Sequence, residues 1–403
     1  MRIVIGALRS PALRSAAILA AGGAGFALGN LLLARVLPER EYGAVSLLLS
    51  LIQVGAALGS LGLPTLVNRH ALAATGQLFR YGMWLALLAA LVVGAVAVVS
   101  YQLPSFIAYV LAATVAAAAL GRIAGAVMQS RQRFGTSLLL TQIHNWLLLA
   151  SVPLVLMADA RSAAVVSVFI LVCYVITTSA GWRVATQEQR PAAGTLSLRM
   201  LWSEGLSAAG FGLAFNVFLQ LDRLVIGDVL SLQDVAAYSL VASVAGSPYR
   251  MLQVSAGHTL VPRLRAAANR ETAMKLLRHE ALLMIGLSVL AAPVLFWLTP
   301  WIISKVAGPA MGVGHMLTAA VIVVGFVRLW EGLAAAVVNA IGTPRELLIL
   351  SVLGWLGIAV AVALASIVSR DGLVAVVLAL GAGWCAIAVG ATTLAFEAIL
   401  RLD

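Results

Sequence analysis

Leu31 to Leu47 reads LLLARVLPEREYGAVSL, and 193 residues further on Leu224 to Leu240 reads LVIGDVLSLQDVAAYSL. Six of these seventeen positions are identical, and Glu41 faces Asp234. Each copy holds an apolar run, a short polar turn and a second apolar run. Each therefore reads as the end of one helix and the start of the next. On both sides of the two copies, apolar runs follow one another with brief polar breaks. A helix rises about 1.5 Å per residue and a bilayer core is about 30 Å thick, so a span needs about 20 apolar residues. By that measure the chain holds twelve spans. The first six fall near 15–37, 43–66, 81–101, 104–128, 136–158 and 162–182, and the second six near 205–230, 235–261, 279–299, 313–341, 346–368 and 372–399.

Between the sets lies a polar stretch, Arg183 to Glu204, that reads as a cytoplasmic linker. The expected organisation is an N-terminal six-helix bundle over 1–182, the linker over 183–204 and a C-terminal six-helix bundle over 205–403. An even number of helices separates the copies, so both enter the bilayer in the same sense. Such a parallel repeat, about an axis along the membrane normal, places a central cleft between two bundles. Apolar low-complexity sequence can also give such a match by composition alone.

Composition points the same way. Of 403 residues, 62% are hydrophobic and 10% charged, against about 25% charged in soluble domains. That excludes a soluble enzyme and favours an all-α, polytopic membrane protein. With the N-terminus in the cytoplasm, seventeen Lys and Arg lie inside and five outside, a bias that places both termini in the cytoplasm. The same bias accounts for most of the net charge of +11 without nucleic acid. The first apolar run is too long for a signal-peptide core. Cys173 and Cys385 lie far apart in apolar runs, and His258 and His279 have no metal-ligand spacing, so neither a metal nor a cofactor is expected. The longest outer loop, about Thr299 to Val313, contains one lysine and no acid.

Charges that the spans cannot expel mark the candidate site. A charge near the bilayer centre costs at least about 2.5 kcal/mol, so it faces protein or a wet cavity. Arg122, Arg223, Arg250 and Arg328 lie at that depth, answered by two acids, Asp222 and Glu331. Asn216, Gln220 and Arg223 are spaced i, i+4, i+7 and share a helical face that suits a cavity wall. Asp222 points about 100° from Arg223 and needs another partner, on the eighth or tenth span. The competing reading for Asp222 is a structural salt bridge between helices. Arg250 follows Pro248 and Tyr249 in GSPYR, so a proline kink there makes it a ligand-facing or gating candidate, or else the arginine satisfies the carbonyl that the kink frees. Arg328 and Glu331, three apart in FVRLWEG, can pair within the tenth helix and then read as structural. Arg122 can snorkel. Asn30, His144 and Asn145 read mainly as polar glue between helices, and Gly22, Gly25 and Gly29 as a packing face.

The repeated segments carry a family resemblance. NLLLARVLPEREYGAVSLLLSLIQVGAALGSLGLPTLVNRH, with Glu41–Tyr42–Gly43 and Leu61–Gly62–Leu63 before Arg69, resembles the opening of the polysaccharide (O-antigen) flippases. Those belong to the multidrug/oligosaccharidyl-lipid/polysaccharide exporter superfamily. LDRLVIGDVLSLQDVAAYSL resembles their seventh-helix signature through Asp222, Gly227 and Tyr238, and Asn339 to Glu346 resembles their tenth-helix exit. Ala236 and Ala237 stand where the family usually carries a glycine before that tyrosine. The resemblance implies a flippase in the inner membrane. It would carry an undecaprenyl-pyrophosphate-linked oligosaccharide from the inner to the outer leaflet by alternating access. Its partners would be that lipid, membrane lipids and a polysaccharide polymerase machinery. Unpaired arginines suit such a cargo, because a guanidinium meets phosphate oxygens with a planar fork of donors.

Two alternatives stay open. An ion-coupled drug exporter of the same superfamily would need a carboxylate in the N-terminal bundle, whose spans hold none, although Asp222 could serve elsewhere. A glycan polymerase or ligase would need an outer catalytic loop, and the outer acids sit in tight turns.

Overall fold

The computed structural model describes residues 11–70, 72–131, 133–158, 161–187, 206–265, 267, 269–308 and 313–402. Among these residues the chain is helical throughout, without strands. Helix falls on all twelve expected stretches. Among the described residues eight helices are long and apolar enough by themselves to cross a membrane, or up to nine if one bent pair counts as a span. The chain is a multi-pass membrane protein. It divides into two compact units, Met1–Gln220 and Leu221–Asp403. The division falls inside a helix beyond the expected linker, of which residues 188–204 lie outside the described ones.

The first unit runs α1 Pro11–Val36, α2 Glu39–Ser60, α3 Leu63–His70, α4 Gly76–Val99, α5 Ser105–Ser130, α6 Phe134–Met157 and α7 Ala163–Gln187. The second expected span is broken: Leu61 (φ 32°) and Gly62 (φ 74°) take left-handed conformations and end α2 before α3 begins. Glycine meets that requirement at no steric cost. α5 packs against α2, α4, α6 and α7, and its Ala- and Gly-rich sequence buries seventeen of its residues. The glycine face of α1 lies against α6. A Cβ on Gly29 would stand 2.8 Å from the Leu149 backbone nitrogen, so that face is a close-packing surface. Glu41 accepts a 2.7 Å hydrogen bond from the Ala163 amide and so caps α7, where a carboxylate also suits the helix dipole.

α8 Leu206–Val229 leads into the second unit. There follow α9 Leu232–Val241, a π-helical segment Ala242–Gly246, α10 Ser247–Arg265, α11 Arg270–Val306, α12 His315–Ile341, α13 Pro344–Ile367 and α14 Leu373–Leu400. α12 is central and packs against α10, α11, α13 and α14. α11 is 37 residues long, far beyond the expected 279–299. Asn269 caps its start, and its far end runs to Val306, so the outer loop expected from Thr299 is helical over its first half. The outward faces of α4 and α11 carry exposed Trp84, Leu91, Trp297 and Trp301, as lipid-facing helices do.

The repeat survives in the backbone. α1 ends at Val36 and α2 begins at Glu39; α8 ends at Val229 and α9 begins at Leu232. Both boundaries differ by the 193 residues that relate the sequences.

Candidate functional site

The π-helical segment is where the second unit departs from regular helix. Pro248 lacks an amide hydrogen, and a π turn widens the helix before it to absorb the lost bond. Two hydroxyls stitch this stretch: Ser243 donates to the Ser239 carbonyl (2.7 Å) and Ser247 to the Ser243 carbonyl (2.6 Å). The residues that follow, Tyr249, Arg250 and Gln253, are thereby presented on α10, which packs against α12.

Opposite them α12 carries Arg328 and Glu331. These two do not pair with each other, as the sequence spacing allowed. Arg328 instead forms an ion pair with Asp222 of α8, and its guanidinium carbon lies 4.9 Å from the Trp384 ring centroid on α14. Asp222 also accepts a hydrogen bond from the Tyr238 hydroxyl of α9. The expected partner for Asp222 is thus found on both helices named for it. Both donors reach the same oxygen, Oδ2, of a carboxylate that is 4% exposed, and its Oδ1 has no hydrogen-bond partner among the described residues. Glu331 turns the other way and accepts a 3.0 Å bond from the Gln253 amide of α10.

Arg223 is buried and donates from Nε to the Ser239 hydroxyl at 3.0 Å. It leaves α8 in a different direction from Asp222, as their angular offset requires. Arg250 is partly buried and lies within electrostatic range of Arg223, Arg328 and Asp222. Among the described residues it has neither a hydrogen bond nor an ion pair, so it does not satisfy a carbonyl freed by Pro248. The cluster therefore gathers three arginines, from α8, α10 and α12, around one acid that is already paired.

The other sequence candidates lie elsewhere. Asn216 turns its amide back to the Gly212 carbonyl (2.7 Å), and Gln220 is buried on the same helix. Asn30 donates to the Phe26 carbonyl (2.8 Å) and accepts from the Tyr42 hydroxyl (3.0 Å), which makes it a strut between α1 and α2. Arg122 reaches the Gln53 carbonyl at 3.5 Å, beside a small recess inside the first unit that Tyr174 and Thr178 also line. Neither Gln253 nor Trp384 was picked out by sequence. Gln253 had a signal, since it lies one turn from Arg250 on the same face, whereas Trp384 sits unmarked in an apolar run. Among the described residues no three His, Cys, Asp or Glu side chains gather to hold a metal ion.

Residues 32–308 match the family described as polysaccharide biosynthesis protein. The chain belongs to that family. No curated protein matches it in sequence. Among solved structures, this polysaccharide biosynthesis protein is similar to the lipid II flippase MurJ in an inward closed conformation. The TM-score is 0.67 at 12% identity, over 96% of this chain and 89% of that one. It is also similar to an inward-facing multidrug resistance MATE family transporter of the MOP superfamily, with a TM-score of 0.58 at 15% identity over 94% and 95% of the two chains. A MATE structure in complex with MaL6 gives 0.56 at 15% identity over 96% and 97%. At such identities the likeness shows the fold alone, one shared with MurJ and with MATE transporters. The family resemblance of the two repeated segments agrees with it.

Proposed function

We propose that this protein is a flippase that carries a lipid-linked oligosaccharide, joined through pyrophosphate to undecaprenol, from the inner to the outer leaflet for polysaccharide or O-antigen assembly. It works by alternating access, in the inner membrane, with both termini cytoplasmic, and moves its cargo without chemical change. One observation carries the reading: Arg250 stands beside Arg223 and Arg328 with no ion-pair partner of its own among the described residues. A lone guanidinium at membrane depth is costly unless an anion visits it. A pyrophosphate offers two charges and many acceptor oxygens, which suit the planar fork of arginine. The lipid tail can stay in the bilayer while the arginines offset desolvation of the headgroup. The family match and the fold shared with a lipid II flippase support a phosphorylated lipid as cargo.

The test is export. Arg250→Ala should abolish surface polysaccharide and trap lipid-linked units on the inner leaflet, while the protein inserts at normal levels. Normal surface polymer in that variant would end the proposal. Drug resistance on overexpression, with intact polymer on deletion, would favour the exporter alternative.

A further inference from the structure

Glu331 and Gln253 form a second buried layer, one helical turn from the arginines. Arg250 and Gln253 are three residues apart on α10, as Arg328 and Glu331 are on α12, so the two helices face each other with a cationic layer and then an acid–amide layer. Glu331 is 5% exposed and Gln253 4%. Among the described residues Glu331 has no ion pair, and the Gln253 carbonyl oxygen Oε1 has no hydrogen-bond donor. A buried carboxylate without a cation and a buried carbonyl without a donor are each costly. One added hydrogen relieves both: a protonated Glu331 donates its O–H to Gln253 Oε1 while the Gln253 amide donates back, giving the paired bonds of an acid–amide dimer.

We propose that Glu331 is a proton-binding site, held by Gln253, whose occupancy is linked to anion binding at the neighbouring arginines. This deepens the proposed function and rests on it for the identity of the anion. The proton comes from water and returns to water; no other bond changes. With Glu331 neutral, Arg223, Arg250 and Arg328 face one carboxylate, Asp222. With Glu331 ionised, Arg328 is offered a second carboxylate, one turn away on its own helix. Of the elements packed on α12, α10 brings Tyr249 and Arg250, with Arg263 and Arg265 in its last turn, α9 brings Asp234 and Tyr238, and α14 brings Cys385 and Glu397. α11 and α13 carry their ionisable groups at their ends, Arg270 to Glu280 with Lys305, and Arg345 with Glu346. On α12 itself the nearest charged group to Glu331 in sequence is Arg328, one turn away. The sign follows: a proton on Glu331 makes the cluster more positive and tightens its hold on an anion, and by reciprocity anion binding draws in a proton.

Two measurements on the purified full chain decide this. Infrared difference spectra of wild type against Glu331→Gln should contain a protonated-carboxyl band that disappears on alkalinisation. Its absence from wild type at every pH from mildly acidic to alkaline overturns the site. Calorimetry with undecaprenyl-pyrophosphoryl-N-acetylglucosamine, in buffers of differing ionisation heat, should show proton uptake on binding across the range where that band titrates. Affinity should weaken about tenfold as Glu331 ionises. Glu331→Gln should bind without proton uptake and without that pH dependence; uptake retained in the variant overturns the linkage. If Glu331→Gln does not fold, Gln253→Leu serves instead: the band should persist but move to the position of an acid lacking its amide partner, and an unmoved band overturns the pairing. Failure of wild type to bind the lipid at any pH would defeat the proposed function and with it the linkage, while the infrared result would still decide the proton site.

Discussion

At the first of the two repeated corners, Asn30 on α1 accepts a hydrogen bond from Tyr42 on α2, and Gly29 lets α6 approach closely. At the second corner, 193 residues on, Arg223 stands at the Asn30 position and Asp222 at the Gly29 position. Ser46 and Ser239 also correspond, and Ser239 now receives the arginine. The helix boundaries match in both: the helices end and begin in one register. What differs is how the interior is satisfied. At the first corner Asn30 is satisfied by neutral groups of its own two helices. The second recruits Arg328 from α12 to answer Asp222. One backbone unit can thus serve as packing in one half and as a charged seat in the other, at the cost of dependence on distant helices.

The largest expected effect breaks that dependence. Asp222→Ala leaves the Arg328 guanidinium buried without its carboxylate and the Tyr238 hydroxyl without its acceptor. The loss should be about 3–5 kcal/mol, read as denaturant unfolding in mixed micelles. Combining Asp222→Ala with Arg328→Leu should recover most of it, because no unpaired charge remains. A double variant as unstable as the single one would mean that the pair is not what holds the corner. Next in size, Gly29→Val should cost about 2 kcal/mol, because a new side chain would press on the Leu149 backbone. At the second corner the same position already accepts a carboxylate, so Asp222→Asn should disturb packing much less than charge.

Much of this difference was not legible in the sequence, for a physical reason. Apolar runs report helices directly, and the shared turn at Leu37–Pro38 and Leu230–Ser231 follows from aligned hydrophobicity. A fold whose spans are set by bilayer thickness leaves little room for another reading. Partner choice is different, since spacing on one helix shows who can meet, not who wins. Arg328 and Glu331 had the right spacing, yet Asp222 competes from another helix and Gln253 offers Glu331 a neutral donor. The π turn at Ala242–Gly246 was legible only as a proline defect, because sequence shows the missing amide but not how the preceding turn adapts.

A pair of tyrosine variants sharpens the comparison. The Tyr42 hydroxyl donates to a neutral amide oxygen, and that of Tyr238 to a carboxylate. Bonds to charged groups are worth roughly twice neutral ones, so Tyr42→Phe should cost about 1 kcal/mol and Tyr238→Phe about 2 kcal/mol. Equal costs would indicate that Arg328 alone satisfies Asp222.

The smallest stability effect should come from the residue with the most to do. Arg250 has no hydrogen bond or ion pair among the described residues to lose. Arg250→Met keeps most of its apolar length and removes a charge that Arg223 and Arg328 repel. Unfolding should therefore shift by no more than about 0.5 kcal/mol, or move toward greater stability. Arg328→Met, in contrast, strands Asp222 and should be destabilising on the scale of Asp222→Ala. If Arg250→Met were instead strongly destabilising, the arginine would be part of the frame, and its place beside two other cations would need a structural reason. If it is neutral for stability and export is lost, the charge is kept at membrane depth for what it binds, which is the distinction between the two corners in its sharpest form.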